Sequence, residues 1–320
     1  MDYYHNLCIL NYDKDSKSDS SSSNDSSNPG HHHYHYQHNH NDYKYQQQQL
    51  QLYSIIRKYI SQGYLVIYAA ECNTSIQSIV ENMVQNGISA ANLIKESSLI
   101  VTNSNTIYSI DKATNAKMIL QSLKSFVFDF LRKNDNNNNN NVSLTKGKKI
   151  VTIVTSKGFF ERGKYSLYLD YEKLLASGGD DDNNNNTVVN GEFNDDIILE
   201  GICCYNTKLI ENLSFSDLIS LLNAHSYTIH SGGIYREWDQ EKILEVIHRG
   251  VIKVMGEVSE KIMFKVLEIV FNTNDDSIIL KPDLFESSVR TMIGQKAADI
   301  VFSSVSREFM KQVTFSHDAE

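Results

Sequence analysis

Short apolar runs rich in β-branched residues alternate along this chain with segments of helical spacing, and that alternation leaves few folds open. The runs are Leu7-Cys8-Ile9-Leu10-Asn11-Tyr12, Leu65-Val66-Ile67-Tyr68-Ala69-Ala70, Leu99-Ile100-Val101-Thr102, Ile150-Val151-Thr152-Ile153-Val154 and Ile197 to Tyr205. Continuous apolar runs of this length fit strands covered on both faces. Between them, Leu52, Ile55, Ile56, Tyr59 and Ile60 share one helix face, as do Ile76, Ile79, Val80 and Met83. A longer helix is expected from about Lys112 to Arg132, with Met118, Ile119, Leu123, Phe126, Val127 and Phe130 inward. Further helices are expected over Tyr165 to Leu175 and over Phe215 to His225, the latter followed by Tyr227-Thr228-Ile229. Gly63 and Gly87 stop the first two helices, and Thr74 or Ser75 caps the second. Strands alternating with helices predict an α/β fold, with a mainly parallel sheet joined by right-handed crossovers.

Three polar tracts interrupt this pattern, at about 14–49, 134–145 and 178–194. They are rich in Ser, Asn, Asp, His and Gln, and cannot bury enough apolar surface to offset ordering entropy. They are expected to be disordered insertions in surface loops. Six of the eleven histidines fall between His31 and His40. No partner ligands follow them at fixed spacing, so no specific metal site is expected from this tract.

The last part reads differently. Trp238, Ile243, Leu244, Ile247, Val251 and Val254 mark one amphipathic helix, and Val258, Ile262, Met263, Val266, Leu267 and Val270 a second. Pro282 opens a third, which Gly294 ends, and Ala297, Ile300, Val301, Val305 and Phe309 mark a fourth. The expected organisation is therefore an α/β domain over 1–235 and a small helical domain over 236–320.

The overall charge of −9 argues against nucleic acid as a partner. A helix-turn-helix reading of the helical part is weakened by fifteen acids against ten Lys plus Arg from Glu237 onward. That part better suits contact with a protein partner or a second copy of the chain. Four cysteines, Cys8, Cys72, Cys203 and Cys204, show no disulfide framework, and reduced thiols in a cytoplasmic setting are expected. Met1-Asp2-Tyr3-Tyr4-His5 has neither the basic region nor the apolar core of a signal peptide, and no run is long enough to span a membrane.

On an α/β sheet the obvious enzymatic test is a glycine-rich phosphate cradle after the first strand. It is absent. Lys146-Gly147-Lys148-Lys149 precedes a strand instead of opening a helix, and there is neither G-x-G-x-x-G nor a nucleophile elbow. Asp170 and Glu172 are two apart and cannot face each other on a helix. No catalytic residue, cofactor or metal is therefore expected.

The ordered set is nevertheless distinctive. It comprises His5 before the first strand, Gln62-Gly63-Tyr64 before Val66-Ile67-Tyr68, then Asn86-Gly87-Ile88 and Tyr168-Leu169-Asp170-Tyr171-Glu172. Cys203-Cys204-Tyr205 and Leu222-Asn223-Ala224-His225 complete it. This resembles the MEDS domain, a sensory module of methanogens and methylotrophs, over roughly residues 3 to 235. The resemblance implies a RecA/KaiC-like fold without a phosphate loop and a non-enzymatic role in sensing a small organic ligand such as a hydrocarbon derivative. It departs at Asn206, where an acidic residue is usual, and in the expanded first loop. Gly256 to Lys261 and Pro282 to Glu286 are similar to helical output domains found beside sensor modules.

Carried over, the resemblance places His5, Tyr68, Glu172, Cys204, Tyr205 and His225 around a pocket at the carboxyl ends of the strands. Each has a plainer reading. His5 satisfies a strand end, and Tyr68 is a β-former. Either cysteine is a small hydrophobe. Glu172 is a solvated helix residue or a partner of Arg162 or Lys164, and His225 complements a helix dipole. The rival functions are a degenerate RecA/KaiC-like NTPase or kinase, and a scaffold with no ligand.

Overall fold

The computed structural model describes residues 2–10, 35–71, 74–137, 149–176, 198–225, 227–229 and 235–314. Its strands are β1 (Asp2–Leu10), β2 (Leu65–Ala70), β3 (Leu99–Asn103), β4 (Lys149–Thr155), β5 (Ile198–Asn206), β6 (Tyr227–Ile229) and β7 (Tyr235–Glu237). They form one sheet in the order β3-β2-β4-β5-β1-β6-β7. The first six are parallel and β7 runs antiparallel along the β6 edge. The α/β class expected from the alternation is what the chain adopts. β5 lies inside the sheet, with Ile202 opposite Asn6 of β1 and Ile153 of β4, and Cys204 opposite Cys8 and Thr155.

The helices of the α/β part are α1 (His35–Ser61), α2 (Ile76–Gln85), α3 (Ala90–Lys95), α4 (Ser104–Tyr108), α5 (Ala116–Asn137), α6 (Lys157–Glu161), α7 (Tyr165–Ala176), α8 (Thr207–Glu211) and α9 (Phe215–Asn223). They cover the two faces of the sheet unequally. Leu52, Tyr53, Ile56 and Tyr59 of α1 and Ile79 and Met83 of α2 pack on Cys8, Tyr68, Ile153, Ile202 and Cys204. The opposite face, with Leu7, Ile9, Ile67, Val154, Cys203 and Tyr205, lies under α5, α7 and α9. Strand alternation accounts for the split, because successive side chains leave a strand on opposite sides.

The helical region comprises α10 (Gln240–Met255), α11 (Glu257–Phe271), α12 (Asp275–Leu280), α13 (Pro282–Ile293) and α14 (Gln295–Thr314). Gly250 lets α10 approach α14 closely: a Cβ there would lie 2.6 Å from the Val305 Cα. The region's core is continuous with the α9 side of the sheet. Phe215 of α9 packs against Phe285 and Phe302, with ring centroids 5.2 and 4.7 Å away. The Ser216 N–H donates to Glu286 Oε2 at 2.9 Å, and Asn223 Nδ2 donates to the Ile279 carbonyl at 2.7 Å.

Several expectations are corrected. α1 begins at His35, so the second half of the first polar tract is helix and not loop. Pro29-Gly30 are the last breakers before it, and Gln is a good helix former; the apolar periodicity starts only at Leu50. α5 likewise runs into the second tract as far as Asn137. The remainder of these two tracts and the whole of the third lie outside the described residues. α12 was not anticipated, being too short for a periodic signal; Asn274 caps it by accepting from the Ser277 N–H at 3.0 Å. On α11 only part of the expected inward set is buried. Met263 and Leu267 are covered, while Val258, Ile262 and Val270 are exposed. Among the described residues no helix is long and apolar enough to cross a membrane.

Candidate functional site

The face of the sheet that carries α7 and α9 holds a buried polar centre. Its parts come from three elements. Tyr168 and Glu172 lie one turn apart on α7, with Leu169 and Leu175 among their buried neighbours while Asp170 is exposed. That spacing puts both on one helix face. Cys203 and Tyr205 are two apart on β5 and so share a face of the sheet. His225 follows the end of α9, and its backbone N–H bonds to the Leu222 carbonyl at 3.2 Å. The side chain of His225 is held in place by its own helix, with Nδ1 2.7 Å from the Leu221 carbonyl. A carbonyl only accepts, so Nδ1 carries the proton and Nε2 has the lone pair.

The Tyr205 hydroxyl donates to Glu172 Oε2 at 2.7 Å. Glu172 Oε1 is buried without a hydrogen bond and lies 3.7 Å from His225 Nε2. The Tyr168 hydroxyl stands beside Glu172 and Cys203 without a hydrogen bond of normal geometry. Glu172 and His225 side chains are both fully buried. Burial pushes the Glu172 carboxyl up to about 8 against the lowering effect of the Tyr205 hydrogen bond. Burial also pulls the His225 imidazole down to about 4, opposed by its bond to Leu221. At neutral pH both groups are therefore uncharged. Their 3.7 Å contact is too long for a hydrogen bond and is not an ion pair. Burial likewise raises the Cys203 thiol and the Tyr168 and Tyr205 phenols well above their ordinary values. Glu172, Cys203 and His225 each bring one potential metal-ligand atom to within 4.8 Å of the others.

This geometry sorts the residues expected from sequence. Glu172, Tyr205 and His225 come together. Cys204 and Tyr68 do not: both lie on the opposite face, in the apolar layer beneath α1 and α2. Cys203 takes the place expected for Cys204, because a residue adjacent to Tyr205 must point the other way. The Cys204 thiol is raised by hydrogen bonding with Cys8 across the β1–β5 pair and by burial, and behaves as core. The backbone of His5 pairs with Gly201 in β1; its side chain lies outside the described residues. Glu172 is neither solvated nor a partner of Arg162 or Lys164. Arg162 pairs with Asp111 at 2.7 Å, and Lys164 donates to the carbonyls of Ile110, Asp111 and Ala113. Asn206 has a local task, its side chain accepting from the Leu209 N–H at 2.8 Å to cap α8. Sequence reasoning missed Cys203 and Tyr168 as site residues. The available signals were the two-residue step from Tyr205 and the four-residue step from Glu172.

Two further polar clusters lie elsewhere. Asn6 Nδ2 donates to Glu200 Oε1 at 2.6 Å, and the Tyr59 hydroxyl donates to the same oxygen. This ties α1 to β1 and β5, and burial raises the Glu200 carboxyl. At the carboxyl ends of β4 and β2, Lys157 pairs with Glu71 at 2.8 Å. A surface groove of about 700 Å³ between α5 and α7, lined by Thr114, Lys117, Gln121, Asp170 and Lys173, includes none of the buried-centre residues.

Compared with protein-family models, curated proteins and solved structures, the chain matches none of them.

Proposed function

We propose that this protein is a non-enzymatic sensory or regulatory protein in which a small ligand engages the buried centre of Glu172, Cys203, Tyr205 and His225. The helical region carries the response. The observation that supports this reading most is the position of α9. One end of this nine-residue helix delivers His225 to the centre, and its body is docked on the helical region through Phe215, Ser216 and Asn223. A shift of His225 by an occupant must move α9 or strain it, and packed elements answer such shifts as units. Burial of a neutral acid and a neutral imidazole side by side supports binding over catalysis in water. Both groups offer hydrogen bonds to a small polar molecule and neither is exposed.

The resemblance to MEDS domains carries a small organic molecule as the class of ligand, and to such a molecule the centre offers a neutral acid, a neutral imidazole and a thiol. The output in this reading is a protein contact made by the helical region, whose α11 leaves Val258 and Ile262 exposed. A thermal-shift screen of the full chain against small alcohols, amines, thiols and carboxylates, with ATP and ADP alongside, tests it. Stabilisation by an organic ligand that disappears in His225→Ala is the expected result. Stabilisation and turnover with ATP, independent of His225, would favour the nucleotide enzyme instead.

A further inference from the structure

We propose that Glu172, Cys203 and His225 form a zinc site, which is the ligand-binding group of the buried centre. The proposal rests on the sensory reading only in using the same centre. The donor set is a thiolate, an imidazole and a carboxylate from three elements, β5, α9 and α7. These are the ligand types zinc takes, and three protein ligands with an open fourth position are what sites that bind a further molecule keep. The three potential ligand atoms already lie within 4.8 Å of one another. A tetrahedral zinc with bonds of roughly 2.0–2.3 Å needs them roughly 3.5 Å apart, a contraction of about 1 Å. Side-chain torsions of Glu172 and Cys203 can supply it.

Three observations favour a metal over a plain hydrogen-bonded core. Nδ1 of His225 is bonded to the Leu221 carbonyl, the arrangement that fixes the tautomer and leaves Nε2 as the donor atom to a metal. The Tyr205 hydroxyl orients the other carboxylate oxygen of Glu172, as outer partners of metal-bound carboxylates do. Glu172 Oε1, fully buried and without a hydrogen bond, faces His225 and is the atom left for the ion. The charges also balance. One thiolate, one carboxylate and a neutral imidazole around Zn²⁺ sum to zero, which a fully buried site requires. The fourth position would then be filled by water or by a small Lewis base, an alcohol, amine or thiol.

The test is cobalt(II) substitution in the chelator-stripped full chain. A thiolate ligand gives a sulfur-to-cobalt charge-transfer band in the near ultraviolet, which the histidine-rich tract between His31 and His40 cannot produce. The expected result is one such band per chain, displaced by zinc, lost in Cys203→Ser and kept in Cys204→Ser and Cys72→Ser. Tyr205→Phe should weaken the affinity about 10- to 100-fold, as loss of an outer partner does. Should Cys203→Ser fail to fold, Glu172→Gln and His225→Gln carry the same test, each expected to weaken or abolish the band, and an unchanged band in both overturns the site. Absence of the band, or its survival in Cys203→Ser, overturns the zinc site. A His225-dependent shift by an organic ligand without the band would leave the sensory reading standing. The band without any response in the helical region would leave the metal and remove that reading.

Discussion

Cys203 and Cys204 are neighbours on one strand, equally buried, and yet they belong to different kinds of interior. Cys204 faces a layer of Cys8, Ile153, Ile202, Tyr68 and the apolar side of α1 and α2. Cys203 faces a carboxyl, an imidazole and two phenols. The backbone is the same; only the parity differs. What separates the faces is what the covering helices bring. α2 presents Ile79 and Met83, whereas α7 presents Tyr168 and Glu172 to the sheet. One face thus keeps an apolar layer around Cys204, with its polar cluster of Asn6, Glu200 and Tyr59 further along β1 and β5, while the other gathers acid, imidazole, thiol and phenols at one point.

The contrast can be broken most forcefully in the apolar layer beneath α1 and α2. Ile202→Ala, at a fully buried position, should cost about 2–5 kcal/mol by transfer and cavity terms, seen as a lower denaturation midpoint at unchanged slope. On the other face Glu172→Gln, nearly isosteric with the neutral acid, should cost far less at pH 6.

A pH series sharpens the same comparison, with chelator present. The folded Glu172 value of about 8 lies above its ordinary 4.5, so its contribution to stability is complete below pH 4.5 and is lost as pH rises to 8. The folded His225 value of about 4 lies below its ordinary 6.5, so its contribution is lost as pH falls from 6.5 to 4. The two slopes cancel between pH 4.5 and 6.5. From 6.5 to 8 only the Glu172 slope remains, and stability should drop by about 2 kcal/mol. Chemical denaturation across that range checks it, and Glu172→Gln should flatten it. A wild-type profile already flat there would mean that Glu172 titrates normally.

Smaller effects follow. Tyr205→Phe leaves Glu172 Oε2 without its donor and should cost about 1–3 kcal/mol. Smallest is the difference between two serine variants. Cys204→Ser places a hydroxyl in the apolar layer and should cost about 1–3 kcal/mol. Cys203→Ser, beside polar groups, should cost about 1 kcal/mol or less. Equal losses at the two positions would show that the faces do not differ in polarity.

The fold was legible because its signals are local. Runs such as Leu65–Ala70 and helix faces such as Ile79 and Met83 carry their own periodicity. The order of strands in the sheet was not, since β1 pairing with β5, Asp2 opposite Ile198, leaves no trace in either run. The start of α1 was hidden because Gln, Asn and His repeats carry no apolar period even where the backbone is helical. At the site, Glu172, Tyr205 and His225 were found through a resemblance in order and spacing. Cys204 and Tyr68 were drawn in because a resemblance by position ignores parity. Period two applied from Tyr205 would have selected Cys203. That Glu172 is buried could not be read, because its neighbours in sequence, Asp170 and Lys173, are exposed.

The central claim is that the buried centre communicates with the helical region through α9. Hydrogen–deuterium exchange of the full chain, with and without saturating zinc, tests it most directly. Zinc should slow exchange in β5, α7 and α9 and, beyond direct contact, in α12 and α13 where Asn223 and Phe215 dock, while α2 and α3 behind the sheet stay unchanged. Protection that stops at α9, or that appears only in the histidine-rich tract, would contradict the account.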